Sequence, residues 1–334
     1  MKKTSREEKN IREAALNIAA PTPQTDEEAA LCVRAAWLHY GAGLTQGEVA
    51  KRLQVPNLKA HRLIARANRL GLVHVTIDGA IAECVRLENE IRQRYGVKMC
   101  EVAPDLDDEP LPLRTLALAG SRFLRLSIES GEHKTIGFGH GRTLAACVAM
   151  LPRVSVAGVK LVSLLGGLTR RYATTPFDVI HRLAERTGAE AYVLPLPFYA
   201  NTIEDRSVFL EQRGVPEVVQ MGVDATLRLI GIGTMGADAS LLSTGMVEKG
   251  EFEEARRLGG VAEILGHILN KSGALIESGL SSRALSMPAE EIGRRKTVAI
   301  AGGRTKVDAI KAVLASGLVF GLITDERTAK ALIA

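Results

Sequence analysis

From Val97 to the C-terminus, short β-branched runs alternate with helical runs, and no other feature of the chain restricts the fold as much. The candidate strands are 98–102, 135–139, 159–165, 191–195, 227–233, 297–301 and 319–323. The candidate helices centre on 112–130, 142–151, 176–187, 204–213, 258–269 and 305–316. Parallel strands need a long crossover between them, usually a helix, so this alternation predicts an open, mostly parallel α/β sheet. In such sheets ligands bind at the loops beyond the carboxyl ends of the strands.

The first 96 residues read differently. Residues 1–25 are polar, with Pro21-Thr-Pro23 near their end, and are expected to form a mobile arm. From Asp26 the apolar residues Leu31, Ala35 and Leu38 follow a helical period that Gly41 and Gly43 stop. Thr45-Gln-Gly-Glu48 is a capping box that starts a second helix running to about Leu53. After the turn Gln54-Val-Pro-Asn57, a third helix runs to Leu70 and is closed by Gly71. A short strand over 72–77 and a turn at Asp78-Gly79 complete the predicted unit, a three-helix winged helix-turn-helix over 26–79. Residues 80–96 form a linker helix with Ile81, Cys84, Leu87 and Ile91 on one stripe. That stripe suits either a second subunit or the chain's own second domain, 97–334.

The net charge of +5 is unevenly placed. Residues 1–72 hold 12 Lys and Arg against 7 Asp and Glu, whereas the remaining 262 residues hold 31 of each. A basic face on a small helical unit is the electrostatic footprint of a contact with the phosphate backbone. On the third helix Ala60, Leu63, Ile64, Ala67 and Leu70 form the expected inner face, and Asn57, Lys59, His61, Arg62 and Arg66 the outer one. Asn and Arg suit base edges, while Lys and the later Arg suit phosphates. Thr45 and Gln46, at a helix N-terminus, can meet a phosphate through backbone N–H groups. Operator DNA is the expected partner.

The glycine loops carry the remaining signal. Gly137-Phe-Gly139-His140-Gly141-Arg142-Thr143 leads out of a strand and into a helix, where free N–H groups suit an anion. That spacing is compatible with a dinucleotide, a sugar phosphate or a tight turn without a ligand. No acidic residue follows at the end of the next strand, which disfavours NAD, and no cofactor is expected. Further loops after strands contain Gly166, Gly167 and Thr169, then Gly233, then Gly302-Gly303-Arg-Thr-Lys306. Lys306 opens a predicted helix, where a cation is unfavourable unless a bound anion compensates it. Glu263, placed on the helix after Gly259-Gly260, can accept hydrogen bonds from hydroxyls. The four cysteines are widely spaced, which points to buried thiols in a reducing cytoplasm and to no metal site. No apolar segment is long enough to span a membrane.

The run Leu44-Thr-Gln-Gly-Glu-Val-Ala-Lys-Arg-Leu-Gln54, continuing to Ala67, resembles the N-terminal domain of SorC/DeoR-type sugar-binding regulators. Gln54 stands at the usual turn glycine, Pro56-Asn57 at the usual Ser-Arg, and His61 at the serine before Arg62. Residues 97–334 are similar to the effector domain of the same family, on the 137–144 loop and on Leu322-Ile-Thr-Asp325-Glu326-Arg-Thr328-Ala329. The resemblance implies a fold like sugar-phosphate isomerases and glucosamine-6-phosphate deaminase. It also implies a small carbohydrate effector (a sugar, a polyol or a phosphate ester) and a homodimer or tetramer. Glu101–Asp105, 178–187 and Pro197-Phe-Tyr-Ala-Asn201-Thr are similar to regulators of polyol (erythritol-type) catabolism, which adds Asn201 to the expected effector contacts. The alternative is an enzyme of the isomerase or deaminase type. Deaminases of that fold place an aspartate and a histidine where this chain has Met235 and Ala237, neither of which transfers protons.

Overall fold

The computed structural model describes residues 23–73, 81–106, 111–154, 158–168 and 179–334. Most of the expected arm, most of the expected wing strand and its turn, and Thr169 with the start of the 176–187 helix lie outside the described residues. The chain divides into two compact units, Met1–Asp78 and Gly79–Ala334.

In the first unit α1 spans Pro23–Ala36 and continues into a single π turn, Trp37–Gly41. It therefore opens three residues before the expected start, on a proline, the residue type best tolerated in a first turn because its missing N–H has no helical partner there. α2 spans Gln46–Leu53 and α3 spans Asn57–Arg69. The capping box forms as the sequence predicts: Thr45 accepts from the Glu48 amide at 3.3 Å, and Glu48 accepts from the Thr45 amide at 2.8 Å. Gln54 ends α2 at φ 54°, a left-handed conformation that normally favours glycine. The core joins Cys32, Ala35 and Leu38 to Val49, Ala50, Ala60, Leu63, Ile64 and Ala67. Leu70, expected on the inner face, is 54% exposed because α3 stops one residue earlier.

In the second unit, seven parallel strands form one sheet. They are β1 Met99–Ala103, β2 Thr135–Phe138, β3 Lys160–Leu168, β4 Glu190–Pro197, β5 Leu227–Ile230, β9 Lys296–Ile300 and β10 Gly321–Asp325. The spatial order is β1-β10-β9-β5-β2-β3-β4. A separate antiparallel sheet holds β6 Gly233–Thr234, β7 Gly260–Ile264 and β8 His267–Asn270. The helices are α4 Ala82–Tyr95, α5 Leu113–Glu129, α6 Arg142–Met150, α7 Ile180–Thr187 and α8 Ile203–Leu210. They continue with α9 Val215–Asp224, α10 Lys249–Arg257, α11 Val307–Ala315 and α12 Glu326–Ile333.

Two apolar cores cover the sheet. One packs residues of α5, α6 and α7 on it, and the other packs α4, α11, α12 and the β7–β8 hairpin. Of the α4 stripe, Cys84, Leu87 and Ile91 are buried in this unit while Ile81 is exposed. The helix expected as a linker is thus part of the second unit's core. The other expectation that fails locally is the helix over 258–269, which is a β-hairpin. Leu265 (φ 49°) and Gly266 (φ 86°) both take left-handed conformations at its turn, as a two-residue type I′ loop requires. Among the described residues no helix is long and apolar enough to cross a membrane.

Candidate functional site

The sheet order creates a crevice. After β2 the chain moves outward to β3 and β4, whereas after β5 it moves the opposite way to β9 and β10. β2 and β5 are neighbours, so the loops leaving their carboxyl ends diverge and leave a gap between them. This is the topological switch point at which open α/β sheets bind ligands.

A cleft of about 100 Å³ lies there, room for several water molecules on the same measure. The β2–α6 loop contributes Gly139, His140, Gly141, Arg142 and Thr143, and the β5–β6 loop contributes Gly231, Ile232, Gly233 and Thr234. Lys306 reaches it from the start of α11, and Glu263 and Leu265 from the β7–β8 hairpin. Gly141 precedes α6 at φ 126°, no side chain caps that helix, and its first residues, Arg142, Thr143 and Leu144, line the cleft.

Two ionisable groups are displaced from their ordinary behaviour. Burial, and then the charge of Arg142, push the Lys306 ammonium down to about 8. Its Nζ donates to the Ile232 carbonyl at 2.7 Å. Burial pushes the Glu263 carboxyl up to about 6, opposed by a hydrogen bond from the Gly266 amide and by the charge of Lys306. That amide donates to Glu263 Oε1 at 2.6 Å. Glu263 faces Gly233 across the β6–β7 ladder, and a Cβ on residue 233 would stand 2.4 Å from Glu263 Oε2. Gly233 is what lets the carboxylate lie over the strand. The cleft is also lined by the apolar side chains of Leu165, Phe198, Leu241, Met246 and Leu265. Two neighbouring cations, a helix N-terminus, a carboxylate near Lys306 and apolar lining residues suit a short polyhydroxylated molecule carrying an anionic group.

Of the residues singled out from the sequence, Gly139, His140, Gly141, Arg142, Thr143, Gly233, Glu263 and Lys306 converge on this cleft. Gly137 instead lies within β2, where a Cβ would meet Leu164 at 2.6 Å. Gly166 lies against the Pro197 carbonyl, 2.2 Å from where its Cβ would be, and Gly167 lies under the His140 ring at 2.8 Å. These three glycines permit packing around the cleft. Asn201 is exposed, and its carbonyl accepts from Arg283 Nη1 at 3.2 Å. Glu263 sits on a strand, not on the expected helix. Sequence reasoning missed the wall of Ser240, Leu241, Thr244 and Met246, which has no motif and joins the cleft only through folding. Met235 is buried, Ala237 is exposed, and neither lines the cleft.

In the first unit Asn57, Lys59, His61 and Arg62 form an exposed face of α3, with Thr45 and Gln46 exposed at the start of α2. Arg66 is drawn away from that face into an ion pair with Glu28 of α1 at 2.7 Å.

A family model described as "Putative sugar-binding domain" matches residues 80–334. The erythritol catabolism regulatory protein EryD of Brucella abortus (strain 2308) is 56% identical over 308 residues, 92% of this chain and 98% of that one. The transcriptional regulator LsrR of Enterobacter sp. (strain 638) is 32% identical over 315 residues, 93% of this chain and 94% of that one. The full-length sorbitol operon regulator SorC from Klebsiella pneumoniae shares the fold, with a TM-score of 0.68 at 22% identity over 92% of this chain and 100% of that one. These relatives are regulators, and none of them lends support to the enzyme alternative. The chain belongs to the SorC-type family of sugar-binding transcriptional regulators.

Proposed function

We propose that this regulator binds operator DNA through a winged helix-turn-helix over 26–79 and releases or remodels that contact when a phosphorylated polyol or sugar fills the switch-point cleft. The observation that carries the effector reading is that Arg142, Lys306 and the α6 N-terminus line one cleft, with Arg142 close enough to act on the Lys306 charge. Three sources of positive potential in a confined space select an anion, and Glu263 beside them accepts from hydroxyls. The name of EryD makes a four-carbon polyol or its phosphate the first candidate. The isomerase- and deaminase-like architecture expected for this unit is compatible with such a ligand, with Met235 and Ala237 where deaminases of that fold place an aspartate and a histidine.

On the DNA side, Asn57, His61 and Arg62 read base edges from α3, while Lys59, Thr45 and Gln46 hold phosphates. Arg66 orients α1 against α3 through Glu28 and adds charge from the edge of the face. A homodimer, or a pair of dimers, presents two such helices to a palindromic operator in the cytoplasm. Effector and DNA then alter one another's affinity by the same factor.

A gel shift on the intergenic DNA upstream of the regulator's own gene, repeated with erythritol, other polyols and their phosphates, tests this reading. One compound should change the shifted fraction. It should also raise the melting temperature, because saturation at 100 times Kd adds about 2.7 kcal/mol. A shift insensitive to the whole panel, with no melting change, overturns the effector assignment. No shift at all overturns the DNA assignment.

A further inference from the structure

We propose that the second unit holds a second phosphate site, at the amino ends of the strands and so at the opposite edge of the sheet from the switch-point cleft. A cavity of about 530 Å³ opens there, and its cationic lining residues are Lys98, Arg294, Arg295 and Lys296. They come from the entry to β1 and the entry to β9, two strands separated in the sheet only by β10. Among the described residues no carboxylate lines the cavity.

Arg294 is paired with Glu291 at 2.6 Å. Among the described residues, Lys98, Arg295 and Lys296 make no ion pair. Cations often gather near helix C-termini, and α4, α11 and the one-turn helix Ala289–Ile292 all end beside this cavity, at Gly96, Gly317 and Gly293. Three such termini supply only about −1.5 charges in total. Three unpaired cations exceed that, so the cavity keeps a positive surplus in a unit whose formal charge is only +1, with 31 Lys and Arg against 30 Asp and Glu.

The segment that carries these cations is also fixed in place. Arg228 is fully buried and, among the described residues, has no carboxylate partner. Its Nε donates to the Gly222 carbonyl at 3.0 Å, and its Nη1 to the carbonyls of Glu291 at 2.6 Å and Ile292 at 3.2 Å. Its Nη2 donates to the Val223 carbonyl. This clamp ties the turn before Arg294 to the end of α9, and Thr297 Oγ1 adds a bond to the Ile292 carbonyl at 2.6 Å. Lys296 Nζ rests over the Phe320 ring, 5.9 Å from its centre. Burial first, then the charge of Arg295, lower Arg228 to about 10, and burial and then Lys296 lower His133. Both neighbours therefore register the excess positive charge. A planar guanidinium with two flanking ammonium groups matches a phosphate, whose dianion offsets both the surplus and the buried Arg228.

The phosphate has two possible sources, a free phosphate ester or the backbone of DNA. Inorganic pyrophosphate, titrated calorimetrically into the full-length protein, tests the chemistry. The native chain should show two sites. Lys98→Gln with Arg295→Gln, both exposed and absent from the switch-point cleft, should weaken one site at least tenfold and spare the other. Lys306→Met should remove the other alone, so this proposal and the effector reading fail separately. Affinity for non-specific duplex DNA, measured against salt, identifies the source. A slope reduced by about 2 in the double variant identifies the backbone, and an unchanged slope identifies a free ester. A single pyrophosphate site that the double variant leaves intact overturns the proposal. So does a double variant whose only change is its oligomeric state, since its cations then face the carboxylates of another copy.

Discussion

The two units use cations in opposite ways. On α3 of the first unit, Lys59 and Arg62 stand in solvent on a short helix whose core is made of small and aliphatic side chains. In the switch-point cleft Lys306 is held against the Ile232 carbonyl, where burial first and then the charge of Arg142 push it down to about 8. Exposed cations cost little to maintain and are already screened, so they suit a long polyanion whose counterions are released on binding. Confined cations raise the energy of the empty cleft, and a single small anion relieves it. The contrast separates a salt-dependent contact with DNA from a pH-dependent contact with an effector.

The largest test of that contrast is Lys306→Met. It should weaken a phosphorylated effector about 100-fold, the scale of a lost charge-assisted contact of roughly 2.7 kcal/mol, and leave effector-free DNA binding unchanged. Equal losses on both sides, by calorimetry and gel shift, would erase the distinction. Gly166→Ala comes next. Its Cβ would stand 2.2 Å from the Pro197 carbonyl, a backbone atom that cannot step aside, so urea denaturation should show a loss of about 2–3 kcal/mol. Such a loss belongs to the scaffold of the cleft, and the helical unit should keep its DNA affinity if the two units are independent.

Arg62→Ala should cost about 1–3 kcal/mol in specific DNA binding and nothing in effector binding without DNA. Raising salt should weaken DNA binding steeply and move effector affinity little. The pH dependence runs the other way. Above about pH 8 the empty-cleft Lys306 is neutral, so anion binding must take up a proton and affinity should fall by up to tenfold per pH unit. Below about pH 6 Glu263 becomes neutral, and the proton it gains turns a charged acceptor for hydroxyls into a weaker acceptor with a donor, so discrimination among polyols should narrow there. An effector affinity flat from pH 7 to 9.5 would place the anion elsewhere. The smallest effect is Thr45→Ala, about 1 kcal/mol of stability lost from the cap of α2, visible by chemical denaturation and confined to the helical unit.

Legibility differed sharply between neighbouring residues of the same site. Gly139 to Thr143 were readable because strand, glycine turn and helix start follow one another within a few residues. Glu263 was readable as a hydroxyl acceptor but not as a strand residue. Four or five apolar positions between glycines carry too little periodicity to separate a helix from a hairpin. The structure resolves that ambiguity through Leu265, a bulky residue at φ 49° whose side chain packs against Gly139. No propensity scale would choose leucine for that conformation. Arg66 shows the same limit on a helix. Its position placed it with the DNA-facing cations, and only the nearness of Glu28 on α1 shows how it is held.

The sequence by itself determined the features that depend on neighbours a few residues apart. These are the capping box at Thr45 and Glu48, the surplus of charge in the first 72 residues, and the strand–helix alternation that makes the sheet parallel. Tertiary structure alone decided that β2 and β5 lie side by side with diverging loops, that Arg142, Glu263 and Lys306 share one cleft, and that Lys98 and Arg295 share another. Strand order and desolvation are set by contacts between residues far apart in the chain. A local pattern of residue types fixes which elements form, and only their packing fixes what their charged ends come to face.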